Sequence, residues 1–528
     1  MISDSSGARE SEVHVEPTVT SMDLPKPEPV IVIIGCGISG IGAAERLYRH
    51  GLRNVKILEA SHRPGGRIWS TQFGKGVVEI GAHWIHGPSD RNPVFHMASQ
   101  YGLLHESALA EENKSVEVGG HSPFCPVAYS SSGKVIGVEL QEAMSVVYSR
   151  MFNQAREFLH VDVPLSESVG EYMKKEIAHH ASEWGDDLLA KQLKLAVLSS
   201  LLKLECCISG THSMNDVALR PFGEYKMLPG LDCTITGGYQ GLIECMLTSL
   251  PKERVLLNKS VRTVHWNGTF KGQHNDERFF PVQVECEDGD AFNADHVIIT
   301  VPLGFLKEKY ATLLDPPLPD RKLQAIQKMG FGTNNKIFLE FETPFWKPDC
   351  QEIEFVWEEE SPLVDVQPDF HNDWFKKLPG FMVLHPPEQF GHVLCGFIPG
   401  KESEFMETLT DAEITTSVME VLRRFTGNSG LAPPVRMLRS KWHSQPFTKG
   451  SYSYVSIGCS GDDIDIIAKP LPENTNVSKP LQVLFAGEAT HRTFYSTTHG
   501  ALESGWREAE RLIHFYTLSE PQRSKPKL

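Results

Sequence analysis

The stretch from Val30 to Arg67, VIVIIGCGISGIGAAERLYRHGLRNVKILEASHRPGGR, decides the fold of the chain. It opens with an apolar, β-branched run whose length and flanking glycines suit a buried parallel strand. Gly35, Gly37 and Gly40 then form the pattern G-x-G-x-x-G. Their lack of side chains permits a tight turn, a close approach of the backbone to a pyrophosphate, and close packing of the next helix on the strand. The stretch therefore predicts the strand, turn and helix of a dinucleotide site.

The residues after the glycines support this prediction. The helix that follows the glycines would direct the positive end of its dipole at the phosphates. Val55 to Leu58 predicts the next strand, and Glu59 follows it, roughly 20 residues past the glycines. Its carboxylate can accept hydrogen bonds from ribose hydroxyls, and its charge disfavours a 2′-phosphate. A glycine-rich turn in a purely structural βαβ unit is the alternative, but the strand, helix and acid together favour a bound dinucleotide.

The continuation Arg63-Pro64-Gly65-Gly66-Arg67 resembles the second signature of the flavin-containing amine oxidase family. Gly66 would bring a backbone N–H group to the phosphates, and Arg67 adds a planar donor fork suited to them. The resemblance implies FAD as the cofactor. An NAD-dependent dehydrogenase is a poor alternative, because it would not need this second signature. Further motifs in the family order extend the resemblance over residues 30–516.

The resemblance implies cofactor contacts that are spread over the chain. The segment around His83 and Trp84 returns to the flavin, and the helix that opens near Thr498 presents backbone N–H groups to it. The complete set of expected FAD contacts is Gly35, Gly37, Ile38, Gly40, Glu59, Gly66, Arg67, His83, Trp84, Val261, Glu488, Thr497 and Thr498. No cysteine lies between Gly487 and Gly505, where monoamine oxidases attach FAD, so we expect non-covalent binding.

The resemblance also implies the residues of the reacting side. Lys336, near the start of a predicted strand, is expected to be catalytic and to hold a water molecule against the flavin. His86 is expected to be the second catalytic residue and to hydrogen-bond the substrate nitrogen. Asn335, Tyr454 and Trp442 are expected to contact the substrate. The alternatives are an ordinary exposed lysine for Lys336, a structural histidine for His86, and core packing for the aromatic residues.

The expected fold class is α/β, with a Rossmann-like FAD-binding domain interleaved with a mixed α+β substrate-binding domain, as in the amine oxidase fold. The FAD-binding domain is expected at 30–91, 230–304 and 451–516, the substrate-binding domain at 92–229 and 305–450, a disordered tail at 1–29, and a C-terminal tail at 517–528. From roughly Asn92 to Pro221 the sequence pattern predicts helices. Apolar residues recur there with a period of 3.6 in Leu140 to Leu159 and in Asp187 to Leu204.

Composition narrows the possible partners. The 528 residues carry a formal net charge of −16, which argues against nucleic acid and anionic membrane and suits a cationic ligand. Five glutamates within residues 352–360 are candidates for a charged substrate entrance, with a solvated charged face as the alternative.

His83 and His86 have no third ligand at metal-site spacing, so no metal is predicted. The ten cysteines contain no C-x-x-C, which favours reduced thiols in an intracellular compartment. No apolar run approaches the ~20 residues of a membrane helix.

Within the family, the chain most resembles the polyamine oxidases that act on N1-acetylspermine and N1-acetylspermidine. This resemblance implies oxidation of a secondary amine to an imine, hydrolysis to an aldehyde and a shorter polyamine, and reduction of O2 to hydrogen peroxide. Two alternatives stay open: a spermine oxidase that prefers the unacetylated amine, and a non-catalytic FAD-binding protein.

The chain ends in Pro526-Lys527-Leu528, which resembles the S-K-L tripeptide read by the peroxisomal import receptor, with proline in the first place as a departure. We therefore expect a peroxisomal protein, or a cytoplasmic one if the signal is weak. A fluorescently tagged chain that lacks these three residues should be cytosolic by microscopy, whereas the full chain should be peroxisomal. Peroxisomal retention of the truncated chain would contradict this signal.

Overall fold

A computed structural model describes residues 28–114, 116, 120, 126–185, 187–272, 276–364, 369–474 and 477–518 of the chain. The N-terminal tail up to residue 27 and the C-terminal tripeptide lie outside these residues.

The strands carry most of the core. In chain order they are β1 (Ile31–Ile34), β2 (Val55–Leu58), β3 (Ser70–Phe73), β4 (Gly76–Glu79), β5 (Pro126–Ser130), β6 (Val255–Leu256), β7 (Val261–His265), β8 (Phe270–Lys271), β9 (Phe279–Phe280), β10 (Val282–Cys286), β11 (Ala291–Ala294), β12 (His296–Ile299), β13 (Leu314–Asp315), β14 (Gly330–Gly332), β15 (Asn334–Phe341), β16 (Glu352–Val356), β17 (Gly380–Val383), β18 (His392–Pro399), β19 (Arg436–Arg439), β20 (Tyr452–Tyr454) and β21 (Val483–Phe485).

The helices cover the sheets. In chain order they are α1 (Ile38–Arg49), α2 (Pro93–Gln100), α3 (Glu106–Leu109), α4 (Glu111–Lys114), α5 (Val138–Glu157), α6 (Val169–Glu183), α7 (Leu188–Ser209), α8 (Gln240–Leu247), α9 (Leu303–Leu313), α10 (Asp320–Lys328), α11 (Phe370–Asp373), α12 (Pro387–Phe390), α13 (Gly400–Thr408), α14 (Asp411–Thr426), α15 (Gly461–Ala468) and α16 (Thr498–Leu518). No helix among the described residues is long and apolar enough to span a membrane.

A parallel five-stranded sheet carries the glycine motif. Its strand order is β21-β12-β1-β2-β6, and every neighbouring pair is parallel. All four residues of β1 are buried, as the continuous apolar run predicts. The predicted strand, turn, helix and second strand are thus confirmed. This sheet draws on residues 31–58, 255–299 and 483–485, so distant parts of the chain complete it.

The first glycines of the motif are required by close packing. Gly35 has φ +108°, and a Cβ atom there would lie 2.5 Å from Thr300 Oγ1. A Cβ atom on Gly40 would lie 2.1 Å from the carbonyl oxygen of Gly35. The absence of a side chain also lets α16 pack closely on α1, because a Cβ atom on Gly505 would lie 2.1 Å from Ser39 O. Only glycine therefore lets the turn and the two helices approach this closely.

A mixed six-stranded sheet forms the second layer, in the order β19-β15-β18-β17-β16-β5. All its pairs are antiparallel except β16 with β5. Strand β5 belongs to the part of the chain that we predicted to be helical, so that prediction missed an edge strand. The run from Phe292 to Thr300 is typical of a single strand in sequence, but the structure divides it into β11 and β12. The predicted domain boundaries stay a prediction.

The long helices of the predicted substrate-binding part are present. α5 is followed at once by a short 3-10 turn, and both cover the predicted Leu140 to Leu159. α7 begins at the predicted place, with Asp187 accepting hydrogen bonds from the backbone N–H groups of Leu189 and Ala190, and it continues to Ser209. The Asp-Gly pair at 288–289 is typical of a hairpin turn, and the flanking strands β10 and β11 pair antiparallel as such a turn requires.

A buried lysine joins α10 to α15. Lys322 is fully buried, and its Nζ donates hydrogen bonds to the carbonyl oxygens of Ile466 at 2.6 Å, Ile467 at 2.9 Å and Lys469 at 2.7 Å. The three hydrogens of an ammonium group match three acceptors at the negative end of a helix.

We expect Lys322→Met to destabilise the protein by about 2–4 kcal/mol, because the three carbonyl groups would lose a charged donor in a dry environment. The measurement is the thermal unfolding midpoint of the full-length protein. Lys328→Met on the same helix is the control, since that lysine is half exposed and pairs with Asp463 at 3.5 Å. Equal midpoints for the two variants would contradict the expected role of Lys322.

Candidate active site

Lys336 lies on β15 with its side chain directed at the segment that follows β4. Its Nζ donates to the carbonyl oxygens of Glu79 at 2.7 Å and Gly81 at 2.6 Å. The residue is only 6% exposed, so the alternative of an ordinary exposed strand lysine is wrong. Burial lowers the pKa of Lys336, and this effect is opposed by Cys395 and Glu79.

This geometry specifies what Lys336 can do when it is neutral. A neutral amine has two N–H donors and one lone pair, and the two carbonyl groups occupy both donors. The lone pair then remains to accept a hydrogen bond from a water molecule. Lys336 is therefore arranged to hold and orient a water molecule, or to take up its proton.

Stacked rings connect Lys336 to the segment with the two histidines. The rings of His83 and Trp84 stack with centroids 4.3 Å apart, and Trp84 stacks on Phe397 at 5.8 Å. The Nζ of Lys336 lies 5.4 Å from the centroid of the Phe397 ring. The His86 ring is 6.3 Å from Trp84. The structure thus brings together four predicted site residues from two distant parts of the chain.

Phe397 and Asp232 are site residues that the sequence reasoning missed. Phe397 lies opposite Lys336 in the pairing of β15 with β18. The Oδ2 of Asp232 lies 2.7 Å from Nδ1 of His86, and its Oδ1 accepts the backbone N–H of Gly87 at 3.0 Å. No motif surrounds either residue, and only the register of β15 with β18 shows that Phe397 lies beside Lys336.

The pairing with Asp232 orients the imidazole of His86. The carboxylate of Asp232 accepts a hydrogen bond from Nδ1–H, which fixes the orientation of the ring. Asn92 adds a second restraint, because its Nδ2 donates to the carbonyl oxygen of His86 at 2.7 Å. His86 is therefore a positioned hydrogen-bonding group, while its catalytic role stays a prediction.

The glycine signatures form a cradle that fits the phosphates of a dinucleotide. A Cβ atom on Gly37, Gly66 or Gly487 would meet no other atom closer than 3.9, 3.6 and 3.9 Å respectively, so backbone alone borders this space. At its edge, Glu59 accepts the N–H of Cys36 at 2.8 Å and the N–H of Ser61 at 2.9 Å. A carboxylate held beside an open glycine cradle is suited to ribose hydroxyls.

The predicted arginine and C-terminal acid are neighbours. Arg67 Nη1 lies 2.8 Å from Glu488 Oε1 and also donates to the carbonyl oxygen of Ser451 at 2.9 Å. Glu488 is 4% exposed and also accepts the N–H of Ser496 at 2.7 Å. This network connects the second glycine signature to the C-terminal motif. Direct contacts of both residues with a cofactor stay a prediction.

The start of α16 has the features expected of a cofactor contact. Thr497 Oγ1 accepts the N–H of Gly500 at 3.0 Å, and the hydroxyl of Thr498 lies 2.7 Å from that of Tyr239. The neighbouring His499 is 2% exposed, and neither of its ring nitrogens has a hydrogen-bond partner among the described residues. Burial lowers its pKa to about 3, so the ring is neutral. Such an orphaned group fits a site that a polar cofactor completes. Val261, the remaining predicted contact, is buried at the start of β7.

Asn335 was wrongly predicted to contact the substrate. Side chains alternate along a strand, so Asn335 faces the opposite side of the sheet from Lys336. Its amide is saturated there: it donates to Ser403 at 2.9 Å and Glu407 at 2.7 Å, and it accepts the hydroxyl of Ser440 at 2.8 Å. Asn335 therefore anchors β15 and does not reach the site.

The two predicted aromatic contacts have different outcomes. Trp442 is 5% exposed, donates to the carbonyl oxygen of Ile80 at 3.3 Å, and packs edge-on against Trp69. This favours the packing alternative, with Trp442 supporting the segment that Lys336 contacts. On β20, the hydroxyl of Ser453 donates a hydrogen bond to Glu488. Successive side chains alternate along a strand, so Tyr454 faces the other side, where its ring packs against the core formed with helices α5, α6 and α7. Its substrate contact stays a prediction.

Comparison with known proteins gives consistent matches. The family model described as "Flavin containing amine oxidoreductase" matches residues 38–513. The peroxisomal N(1)-acetyl-spermine/spermidine oxidase of Bos taurus is 56% identical over 505 residues, which cover 96% of this chain and 98% of the relative. The Homo sapiens protein of the same name is 56% identical over 95% of this chain and 98% of its own length. Polyamine oxidase 1 of Oryza sativa subsp. japonica is 32% identical over 93% and 98%.

We expect Asp232→Asn to lower kcat/KM for an amine substrate about tenfold, equivalent to about 1.4 kcal/mol, because His86 loses its charged anchor. The measurement is a double-mutant cycle with His86→Ala. If Asp232 acts through His86, Asp232→Asn should change kcat/KM little in the His86→Ala background. Additive losses would contradict the positioning role.

Proposed function

Because the chain belongs to the flavin-containing amine oxidoreductase family, we propose that it oxidises N1-acetylated polyamines with FAD as its cofactor. Identity of 56% over nearly the full lengths of this chain and of two N(1)-acetyl-spermine/spermidine oxidases carries the proposal. The buried lysine, the positioned histidine and the glycine cradle support it with the groups that such a reaction needs.

The chemistry divides between the cofactor and the chain. When bound, FAD accepts the hydride equivalent from the substrate carbon and passes the electrons to O2, which becomes hydrogen peroxide. The chain must bind the amine, favour its neutral form and supply water. Overall, the secondary amine, O2 and water give an aldehyde, a shorter amine and hydrogen peroxide.

Lys336 would serve both the amine and the water. A protonated nitrogen has no lone pair to assist loss of hydride, so the site must favour a neutral substrate nitrogen. Because burial lowers its pKa, Lys336 gives up its charge beside the substrate more readily than an exposed lysine, and in its neutral form its lone pair would hold the water that attacks the imine carbon. Addition of water to the imine carbon gives a carbinolamine, and its collapse breaks the carbon–nitrogen bond and releases the aldehyde and the shorter amine.

His86 would position the substrate. With Nδ1 held by Asp232, Nε2 is the nitrogen that can hydrogen-bond the substrate amine and fix which carbon faces the reacting ring. Non-covalent binding of FAD is part of the proposal, since no cysteine lies between Gly487 and Gly505.

We also propose a peroxisomal location. The two mammalian relatives are named as peroxisomal, and the C-terminal tripeptide supports import by the receptor that reads such signals. A peroxide-producing reaction is compatible with that compartment.

The proposal is tested by mixing the purified yellow protein with N1-acetylspermine under anaerobic conditions. The flavin absorbance should bleach, and admission of O2 should restore it and release hydrogen peroxide. Faster bleaching by spermine would favour a spermine oxidase. No bleaching by either amine would favour a non-catalytic flavoprotein.

We expect Lys336→Met to retain FAD but to lower the rate of amine oxidation or flavin reoxidation a few hundredfold, about 3–4 kcal/mol of barrier, because no group then holds the water. Stopped-flow absorbance measures both half-reactions. Wild-type rates of flavin reduction and reoxidation in the FAD-loaded variant would show that Lys336 is only a structural residue.

A further inference from the structure

Glu79 is a buried acid at the end of β4, where the segment that Lys336 contacts begins. The residue is only 8% exposed. Its Oε2 accepts the hydroxyl of Ser70 at 2.7 Å, and its Oε1 accepts the backbone N–H of Tyr239 at 2.7 Å. Each carboxylate oxygen therefore has a donor, and hydrogen bonds of this kind favour the ionised form.

The carboxylate of Glu79 joins β3 and β4 to α8. Ser70 lies opposite Glu79 in the pairing of β3 with β4, and its hydroxyl oxygen accepts the N–H of Gln240 at 3.0 Å. Tyr239 and Gln240 lie at the start of α8, where the positive end of the helix dipole favours an anion. Three elements of the fold thus meet at one side chain, which fixes the end of β4.

The end of β4 supplies the acceptors of Lys336. The carbonyl oxygens of Glu79 and Gly81 bind Nζ of Lys336 at 2.7 and 2.6 Å. Gly81 is confined by close packing, because a Cβ atom there would lie 1.8 Å from the carbonyl oxygen of Arg67. The side chain of Glu79 anchors the other acceptor. Since the two carbonyl groups occupy two donors of the amine, their positions determine where its third position points.

Glu79 also acts on the charge of Lys336. Among the described residues, Cys395 on β18 and Glu79 on β4 both oppose the lowering of the pKa of Lys336 by burial. Burial raises the pKa of Cys395 to about 12, so that thiol is uncharged at neutral pH. Burial also raises the pKa of Glu79, but its two hydrogen bonds and the charge of Lys336 oppose this rise. Of the two groups, Glu79 is therefore the one that can place a negative charge behind the lysine.

The same anchor extends to the start of α16. Tyr239 is fully buried, and its hydroxyl lies 2.7 Å from that of Thr498. Thr498 is one of the predicted cofactor contacts, whereas Lys336 is predicted to act at the reacting ring. Glu79 is thus connected to both through hydrogen bonds, one made by its carboxylate and one by its own carbonyl group.

We propose that Glu79 is a positioning residue for amine oxidation, an inference that rests on the proposed function. Its side chain fixes the carbonyl groups that orient the amine of Lys336, and its negative charge lies behind them. Burial favours the neutral lysine and the carboxylate favours the protonated one, so the amine can both lose and regain a proton near neutral pH. A group that holds water and takes up its proton needs this balance.

The test measures the pH dependence of flavin reduction by N1-acetylspermine and of reoxidation by O2 in FAD-loaded wild type, Glu79→Gln, Lys336→Met and the double variant. Loss of the negative charge disfavours protonated Lys336, so the rise in rate with pH should move about one pH unit lower in Glu79→Gln. The shift should be absent in the Lys336→Met background, because Glu79 acts through that amine. Glu45→Gln is the matched control and should not move the profile, since Glu45 is also buried, at 3% exposed, but pairs with Arg49 on α1.

An unchanged profile in Glu79→Gln, or the same shift in both backgrounds, would overturn the positioning role. A wild-type flavin that N1-acetylspermine does not reduce would instead overturn the proposed function.

A second measurement requires neither turnover nor the folding of Glu79→Gln. Coupling between two groups is mutual, so Lys336→Met should raise the pKa of Glu79. In infrared spectra recorded against pH, the carbonyl band of a protonated carboxyl group should therefore appear at higher pH in Lys336→Met than in wild type. Identical titration of the carboxyl bands in the two proteins would overturn the proposal.

Discussion

Two hydrogen bonds from the side chain of Lys336 hold the two parts of the site together. The carbonyl oxygens of Glu79 and Gly81 receive them, and the intervening carbonyl of Ile80 receives the indole N–H of Trp442. Three consecutive carbonyl groups next to the nucleotide-binding part thus find their donors in the six-stranded sheet region. Since buried carbonyl groups need partners, the lysine is required by the fold as well as suited to the reaction. The structural role of Lys336 as a donor to these carbonyl groups explains why a residue suited to the reaction is also buried.

The local parts of this arrangement could be predicted from sequence. A strand, a glycine turn, a helix and an acid occupy one continuous stretch, and the backbone conformation of each depends mainly on residues close in sequence. Gly35 shows this directly, because its positive φ follows from the turn itself. The position of Lys336 near the start of a strand followed in the same way. The family resemblance then assigned roles that spacing alone could not.

The non-local parts could not be predicted. Asp232 reaches His86 across 146 positions of sequence, and no local pattern marks it. Strand β5 is short and precedes long helices, so its pairing with β16 had no signal in the segment that contains it. The prediction for Asn335 was wrong for a different reason. Asn335 neighbours Lys336 in sequence, but the two-residue period of a strand places neighbours on opposite faces. A motif identifies a strand, and only its register shows which side chains share the site.

The close packing of α1 against α16 has a consequence for synthesis in the cell. The turn and helix that begin the nucleotide site are made first, whereas the strand and helix that complete the sheet, β21 and α16, come from the last part of the chain. Until Gly505 has left the ribosome, the part of α1 that packs on α16, which includes Ser39, has no partner. The parallel sheet and the contact of α1 with α16 can therefore be completed only after the chain beyond Gly505 is made, although domains commonly fold from the N-terminus during synthesis. Until then the nascent chain exposes one apolar face of α1, and transiently exposed apolar surface of this kind is prone to aggregation.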